Sequence, residues 1–81
     1  KYKEKFNIIF ADPPYPDTLN WIKSKDFKII SEILNGEGTF ILESRTSDAK
    51  EIEIFSKGLD QWKLLKQKSY GEASLSFFAK N

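Results

Sequence analysis

Residues 6–15 read Phe6-Asn7-Ile8-Ile9-Phe10-Ala11-Asp12-Pro13-Pro14-Tyr15, and the reading of this stretch decides the fold. Its first six residues form a short, nearly continuous apolar run. Such a run suits a strand buried on both faces, as in a parallel sheet. Asp12-Pro13-Pro14 closes it sharply, because each proline removes a backbone donor and forbids continuation of the ladder.

Downstream, the spacing over residues 18–34 turns helical. Leu19, Ile22, Phe27, Ile30, Ile33 and Leu34 mark one apolar stripe. Lys23-Ser24-Lys25-Asp26 interrupts it, which leaves one bent helix or two short ones. Asn35-Gly36-Glu37-Gly38 reads as a helix stop, since glycine tolerates the left-handed C-terminal conformation. Residues 39–43 (TFILE) are rich in β-formers and read as a second strand, followed by a polar loop over residues 44–47. Residues 48–57 read as a short helix with Ile52 and Phe55 inward, Ser47 as N-cap, Asp48 favourably placed for the helix dipole and Gly58 as stop. Residues 62–68 and 73–79 read as two more strands around a turn at residues 69–72. They are close enough in sequence to form an antiparallel hairpin. In the first of them Trp62 and Leu64 oppose Leu65; in the second Ala73, Leu75 and Phe77 oppose Ser74, Ser76 and Phe78. The order strand, helix, strand, helix, strand, strand predicts an α/β layer with parallel strands and a terminal antiparallel hairpin.

Composition narrows the chemistry. Cysteine and histidine are both absent, so the chain holds no disulfide, no Cys/His zinc site, no thiol nucleophile and no Ser-His-Asp triad. Acid–base work is left to carboxylates, lysines and tyrosines. Thirteen basic residues stand against 12 acidic ones, so composition alone shows no cationic nucleic-acid surface. No apolar run approaches the ~18 residues of a membrane span, and no signal peptide is visible. The expected compartment is cytoplasmic, with no membrane partner and no metal. The sequence also lacks methionine. Residues 1–81 are therefore read as a single partial domain cut from a longer chain.

Asp12-Pro13-Pro14-Tyr15 is the constellation that carries chemistry. It follows a buried strand directly, and ligands of open α/β sheets sit beyond the carboxyl ends of the strands. Asp12 offers acceptor oxygens. The Pro13 carbonyl, held extended by Pro14, offers another acceptor of fixed direction. Tyr15 offers a flat face of nucleobase size. An exocyclic base amino group is a poor nucleophile because its lone pair is delocalised into the ring. Two acceptors gripping its N–H bonds favour a tetrahedral nitrogen whose lone pair can point at an electrophilic methyl. A stacked ring holds the base plane, worth ~1–3 kcal/mol in single-strand binders. This is catalysis by positioning and electrostatics. The same four residues also suit a plain strand terminator followed by a turn, and the residues alone leave both readings open.

FNIIFADPPY, residues 6–15, resembles the fourth strand and catalytic motif of class I S-adenosylmethionine-dependent amino-methyltransferases, most closely the RsmD-type family. That family methylates the exocyclic N2 of a guanine in small-subunit (16S) ribosomal RNA. GTFILESR, residues 38–45, resembles the family's fifth strand, ending in its glutamate. KSYGEASLSFF, residues 68–78, resembles its closing hairpin, with Tyr-Gly at the turn. The resemblance covers nearly the whole chain. DPPY is shared with adenine-N6 DNA methyltransferases; the Tyr-Gly hairpin is the more selective part. It implies the C-terminal half of a Rossmann-like class I methyltransferase sheet, with S-adenosylmethionine as cofactor and ribosomal RNA favoured over DNA as partner. Asp12, Pro13, Pro14 and Tyr15 would be the catalytic segment, with Tyr15 also contacting the nucleic acid. The base must then be flipped out or already unpaired. The Gly-rich loop and the acidic residue that bind the cofactor in such enzymes are missing here. The cofactor-binding residues are therefore unknown, and the N-terminal half of the same domain is expected to supply them.

The other residues admit two readings each. Arg45 shares a sheet edge with Asp12 and suits an RNA phosphate or a solvated loop. Lys63, Lys66 and Lys68 suit a phosphate track or a solvated strand face. Trp21 suits base stacking or ordinary packing, and Trp62, Phe77 and Phe78 read as core or sheet-face aromatics. The rival functions are an adenine-N6 DNA methyltransferase and a non-catalytic α/β fragment with a coincidental DPPY.

Overall fold

The computed structural model describes residues 5–12 and 18–81. The chain runs β1 (Phe6–Ala11), α1 (Thr18–Ile22), α2 (Lys25–Ile33), β2 (Leu34–Arg45), a 3-10 turn (Thr46–Asp48), α3 (Ala49–Ser56), β3 (Trp62–Tyr70) and β4 (Ala73–Lys80). One four-stranded sheet has the order β1-β2-β4-β3. β1 and β2 are parallel, and β4 is antiparallel to both β2 and β3. The expected α/β class, with a parallel pair and a terminal antiparallel hairpin, is the observed one. Among the described residues, no helix is long and apolar enough to cross a membrane.

Helix formation breaks at the polar interruption. Ser24 is extended at the N-cap of α2 (φ −92°, ψ 173°), and its hydroxyl donates to the Trp21 carbonyl at 2.6 Å. The stripe therefore folds as two short helices rather than one bent one. Asn35-Gly36-Glu37-Gly38 does not end a helix in a loop, as its glycines suggest. α2 ends at Ile33, and these residues already belong to β2. Between the pairs Phe6↔Leu34 and Ile8↔Thr39, β1 advances two residues while β2 advances five, so the glycine-rich stretch makes an irregularity in the ladder. The side chain of Asn35 spans it, its Nδ2 donating to Asn7 Oδ1 at 2.9 Å. At its far end β2 runs through Ser44 and Arg45, which pair with Ser74 and Ala73 and so are not loop. The 3-10 turn then displaces the start of α3 to Ala49. Asp48 stands at its N-cap without a side-chain cap bond, so Ser47 is not the cap. The hairpin turn contracts to Gly71-Glu72. Gly71 has φ +62° and, among the described residues, no non-glycine residue has positive φ, so the turn has the sign pattern of type II′.

One sheet face is covered and the other is not. Ile22, Phe27, Leu34, Phe40, Leu42, Ile52, Trp62 and Phe78 form the core beneath the helices. Phe27, Phe40, Trp62 and Phe78 pack with ring centroids 5.6–6.5 Å apart, and each such pair adds about 0.5–1.5 kcal/mol beyond burial. Ser44, Ser74 and Ser76 lie on this same covered side. There Gln67 Nε2 donates to both Ser76 Oγ (3.0 Å) and the Ala49 carbonyl (2.9 Å), tying β3 to the start of α3. Phe6, Ile8 and Phe10 point the other way and are 56%, 66% and 54% exposed. By register, Ile41, Leu75 and Phe77 share that helix-free face.

Candidate active site

The parallel pairing of β1 with β2 sends both strands toward one edge of the sheet. Ala11 pairs with Leu42, and Asp12 follows at once, exposed. The strand delivers an unburied carboxylate beyond its carboxyl end, the position where an open α/β sheet presents ligand-binding groups. Pro13, Pro14 and Tyr15 lie outside the described residues.

On β2 the edge continues through Glu43, half-buried, to Arg45. The Arg45 guanidinium does not simply face solvent. Its Nε lies 3.3 Å from Asp48 Oδ2, with the Asp48 side chain only 12% exposed and that of Arg45 43% exposed. The (i, i+3) spacing of Arg45 and Asp48 across a turn was the sequence signal for this pair. The contact with Asp48 orients the Arg45 side chain at this end of the sheet.

The hairpin is fastened to this same edge. The Thr46 amide donates to the Glu72 carbonyl at 2.8 Å, and the Thr46 hydroxyl donates to the Gly71 carbonyl at 2.9 Å. Arg45, Thr46, Ser47, Gly71 and Glu72 thereby line a cleft of about 240 Å³. Arg45 pairs with Ala73, and Ala73 with Tyr70, so Arg45 and Tyr70 stand abreast across the β2, β4 and β3 ends. Tyr70 is 60% exposed. Asp12, Arg45 and Tyr70 are therefore brought to one edge. Trp21 is not a free stacking surface. Its ring lies against Phe27 (5.8 Å) and Phe40 (6.1 Å), which gives it a packing role.

A family model described as conserved hypothetical protein 95 matches residues 1–79. The chain belongs to this family, the RsmD-type methyltransferases. No curated protein and no solved structure matches it.

Methyltransferases of this family imply S-adenosylmethionine as donor. The described residues do not form a cradle for it. Such a cradle needs a glycine-rich turn from a strand into a helix, where backbone N–H groups converge. Gly36 and Gly38 lie in β2, Gly58 follows α3, and Gly71 makes the hairpin. The segment between β1 and α1 contains no glycine. Among the described residues, this edge carries the Asp12 carboxylate, the Arg45 guanidinium and the Tyr70 ring.

Proposed function

We propose that this chain supplies the base-gripping part of an S-adenosylmethionine-dependent methyltransferase. Its substrate would be an exocyclic base amino group in RNA, with guanine N2 of 16S ribosomal RNA favoured. The observation that carries the reading is the exposed carboxylate of Asp12 at the carboxyl end of a parallel strand, directly before Pro-Pro-Tyr, in a chain of this family. Asp12 and the Pro13 carbonyl accept the two amino N–H bonds, and the nitrogen lone pair is freed toward the methyl donor. The sequence expectation for Pro14 is that it restricts Pro13 to extended conformations. Tyr15 stacks on the base, and Arg45 meets a neighbouring phosphate. The donor is bound by a preceding half of the same domain, laid against the β1 end of the helix-free face, around Ile8 and Phe10, and leaving the β3 end uncovered. Supporting this is the apolar character of that face, where Ile8 is 66% exposed.

The test is methyl transfer to ribosomal RNA by the intact protein. Asp12→Ala should abolish turnover with the fold retained, whereas Asp12→Asn should keep some activity through its amide oxygen. A near-normal rate for Asp12→Ala would overturn the assigned role. Transfer to an adenine N6 of DNA instead would replace the substrate and leave the grip mechanism standing.

A further inference from the structure

The outward face of β3 carries a pattern that the proposed site does not use. The sheet order places β3 at an edge. In a regular strand, Lys63 would share its face with residues 65, 67 and 69, and Lys66, Lys68 and Tyr70 would point the other way. The ladder shifts between Leu64 and Lys66. Lys63 pairs with Ala79, Lys66 with Phe77, Lys68 with Leu75 and Tyr70 with Ala73. Those four β4 partners alternate along one strand and share one face. The bulge therefore aligns three lysines and a tyrosine in a single row on the helix-free side.

The row is cationic and exposed. Lys63, Lys66, Lys68 and Tyr70 are all solvent-facing. Residues 62–80 hold four lysines and one glutamate, a net +3 within a chain whose total is +1. Lys66 Nζ sits 4.9 Å from the Phe77 ring centroid, so its charge is held over the sheet face. Glu43, abreast of Lys68 across Leu75, marks the inner limit of the row. Lys66 and Lys68 are spaced roughly 7 Å apart along the strand. The row starts at the functional edge, because Tyr70 stands level with Arg45 about two strand spacings, ~10 Å, away. It then runs from that edge down β3.

We propose that this row is a track for a single-stranded polynucleotide. Successive phosphates lie on Lys68, Lys66 and Lys63, and one base stacks on Tyr70. The track would hold the nucleotides flanking the base presented to Asp12, and in this it rests on the reading that the protein acts on a nucleic acid. Lysines on an edge strand also discourage edge-to-edge pairing. That purpose needs neither an aromatic at the end of the row nor the charges on one face.

The experiment is fluorescence anisotropy of a labelled ten-nucleotide single-stranded oligoribonucleotide with the intact protein across a salt series. A deoxyribose version run in parallel distinguishes RNA from DNA. Removing three phosphate contacts in K63Q/K66Q/K68Q should lower the log–log salt slope by about 2, at ~0.7 per phosphate on a single strand. The charge-matched variant K28Q/K50Q/K57Q, on α2, on α3 and just after α3, should leave the slope unchanged. Tyr70→Ala should weaken binding on the order of tenfold with little change in slope. The track is overturned if both triple variants lose slope equally, if neither does, or if no oligonucleotide binds. It is also overturned if polyglutamate occupies the same lysines while Tyr70→Ala has no effect, since the face would then recognise acidic protein. Normal methyl transfer by Asp12→Ala alongside a lysine-dependent slope would sink the catalytic reading alone; the reverse result would sink the track alone.

Discussion

Two glycines of β2 separate backbone flexibility from close approach. Gly36 and Gly38 lie two residues apart in the irregular stretch beside β1, neither at positive φ. A Cβ on Gly36 would meet nothing within 4 Å, whereas on Gly38 it would lie 2.6 Å from Leu34 Cδ1 and 2.8 Å from the Asn7 carbonyl oxygen. Carbon pairs rest at ~3.5–4.0 Å, so the Leu34 contact is about 0.9 Å too short. Leu34 is fully buried, and the Asn7 oxygen belongs to the backbone of β1, so neither can yield cheaply. Gly36→Ala should be neutral or stabilising by up to ~1 kcal/mol, through the reduced freedom of the unfolded chain. Gly38→Ala shares that gain and adds overpacking of about 1–3 kcal/mol. The gap between the two variants isolates the steric contribution, because the backbone contribution is common to both. Equilibrium urea unfolding of the intact protein measures it. The strain acts between β1 and β2, so Gly38→Ala should also lower turnover by shifting Asp12. Stabilities equal within ~0.3 kcal/mol would refute the close-approach argument.

Other outcomes follow from the same contacts. Tyr15→Phe should stay within a few-fold of wild-type turnover, on the order of 1 kcal/mol or less, while Tyr15→Ala should lose far more; equal losses would mean that the hydroxyl matters and stacking does not. Gln67→Ala removes the two bonds joining β3 to Ser76 and α3, and should destabilise by about 1–3 kcal/mol in urea unfolding. Gly71→Ala meets no neighbour but keeps the φ of +62°, so it should lose roughly 1–2 kcal/mol, with Gly71→Asn losing less. The isolated 81 residues should show no measurable S-adenosylmethionine binding by titration calorimetry and should sediment as more than a monomer. Ile8→Lys with Phe10→Lys should weaken that association at least tenfold, and a wild-type monomer with micromolar cofactor affinity would contradict the exposed-face argument.

Local signals made β1, the helix break and the hairpin legible. An apolar run before two prolines has few alternatives to a strand; the polar interruption allows one bent helix or two short ones, and Ser24, extended and bonded to the Trp21 carbonyl, makes it two. The misreadings arose where a distant partner decides the outcome. Asn35-Gly36-Glu37-Gly38 satisfies every local criterion for a stop, yet its structure is set by Asn7 and the parallel pairing with β1. Ser44 and Arg45 read as loop because serine and arginine are poor strand markers. They are strand because Ser74 and Ala73 pair with them from 30 and 28 residues further along the chain. The alternation in β4 was visible, but hydropathy would have turned Leu75 inward and Ser74 and Ser76 outward. The hydroxyls can face the covered side because they have partners there: Ser76 Oγ accepts from Gln67 Nε2, and Ser74 Oγ donates to the Lys68 carbonyl at 3.3 Å and lies 3.3 Å from Ser69 Oγ. For the site, the strand end and its carboxylate were readable. The Arg45–Asp48 pair needs the 3-10 turn between its members, and the bulge that aligns the lysines depends on register, which no local pattern encodes.

The continuous apolar character of β1 also bears on how Asp12 is aimed. Ile9 and Ala11 pack against the core through β2, while Phe6, Ile8 and Phe10 face outward and β1 pairs on one side only. The strand that carries the carboxylate is thus held on one face and one edge by this chain. A misplacement of about 1 Å at a reacting group can lower a rate ~10²-fold. A strand paired on one side and covered on one face is a poor platform for that tolerance, because edge pairings open more readily than central ones. Whatever covers Ile8 and Phe10 therefore does two jobs at once: it removes apolar surface from water, and it fixes the direction of the Asp12 carboxylate. On the proposed reading of Asp12, stability and catalysis are coupled through the outward side chains of Phe6, Ile8 and Phe10.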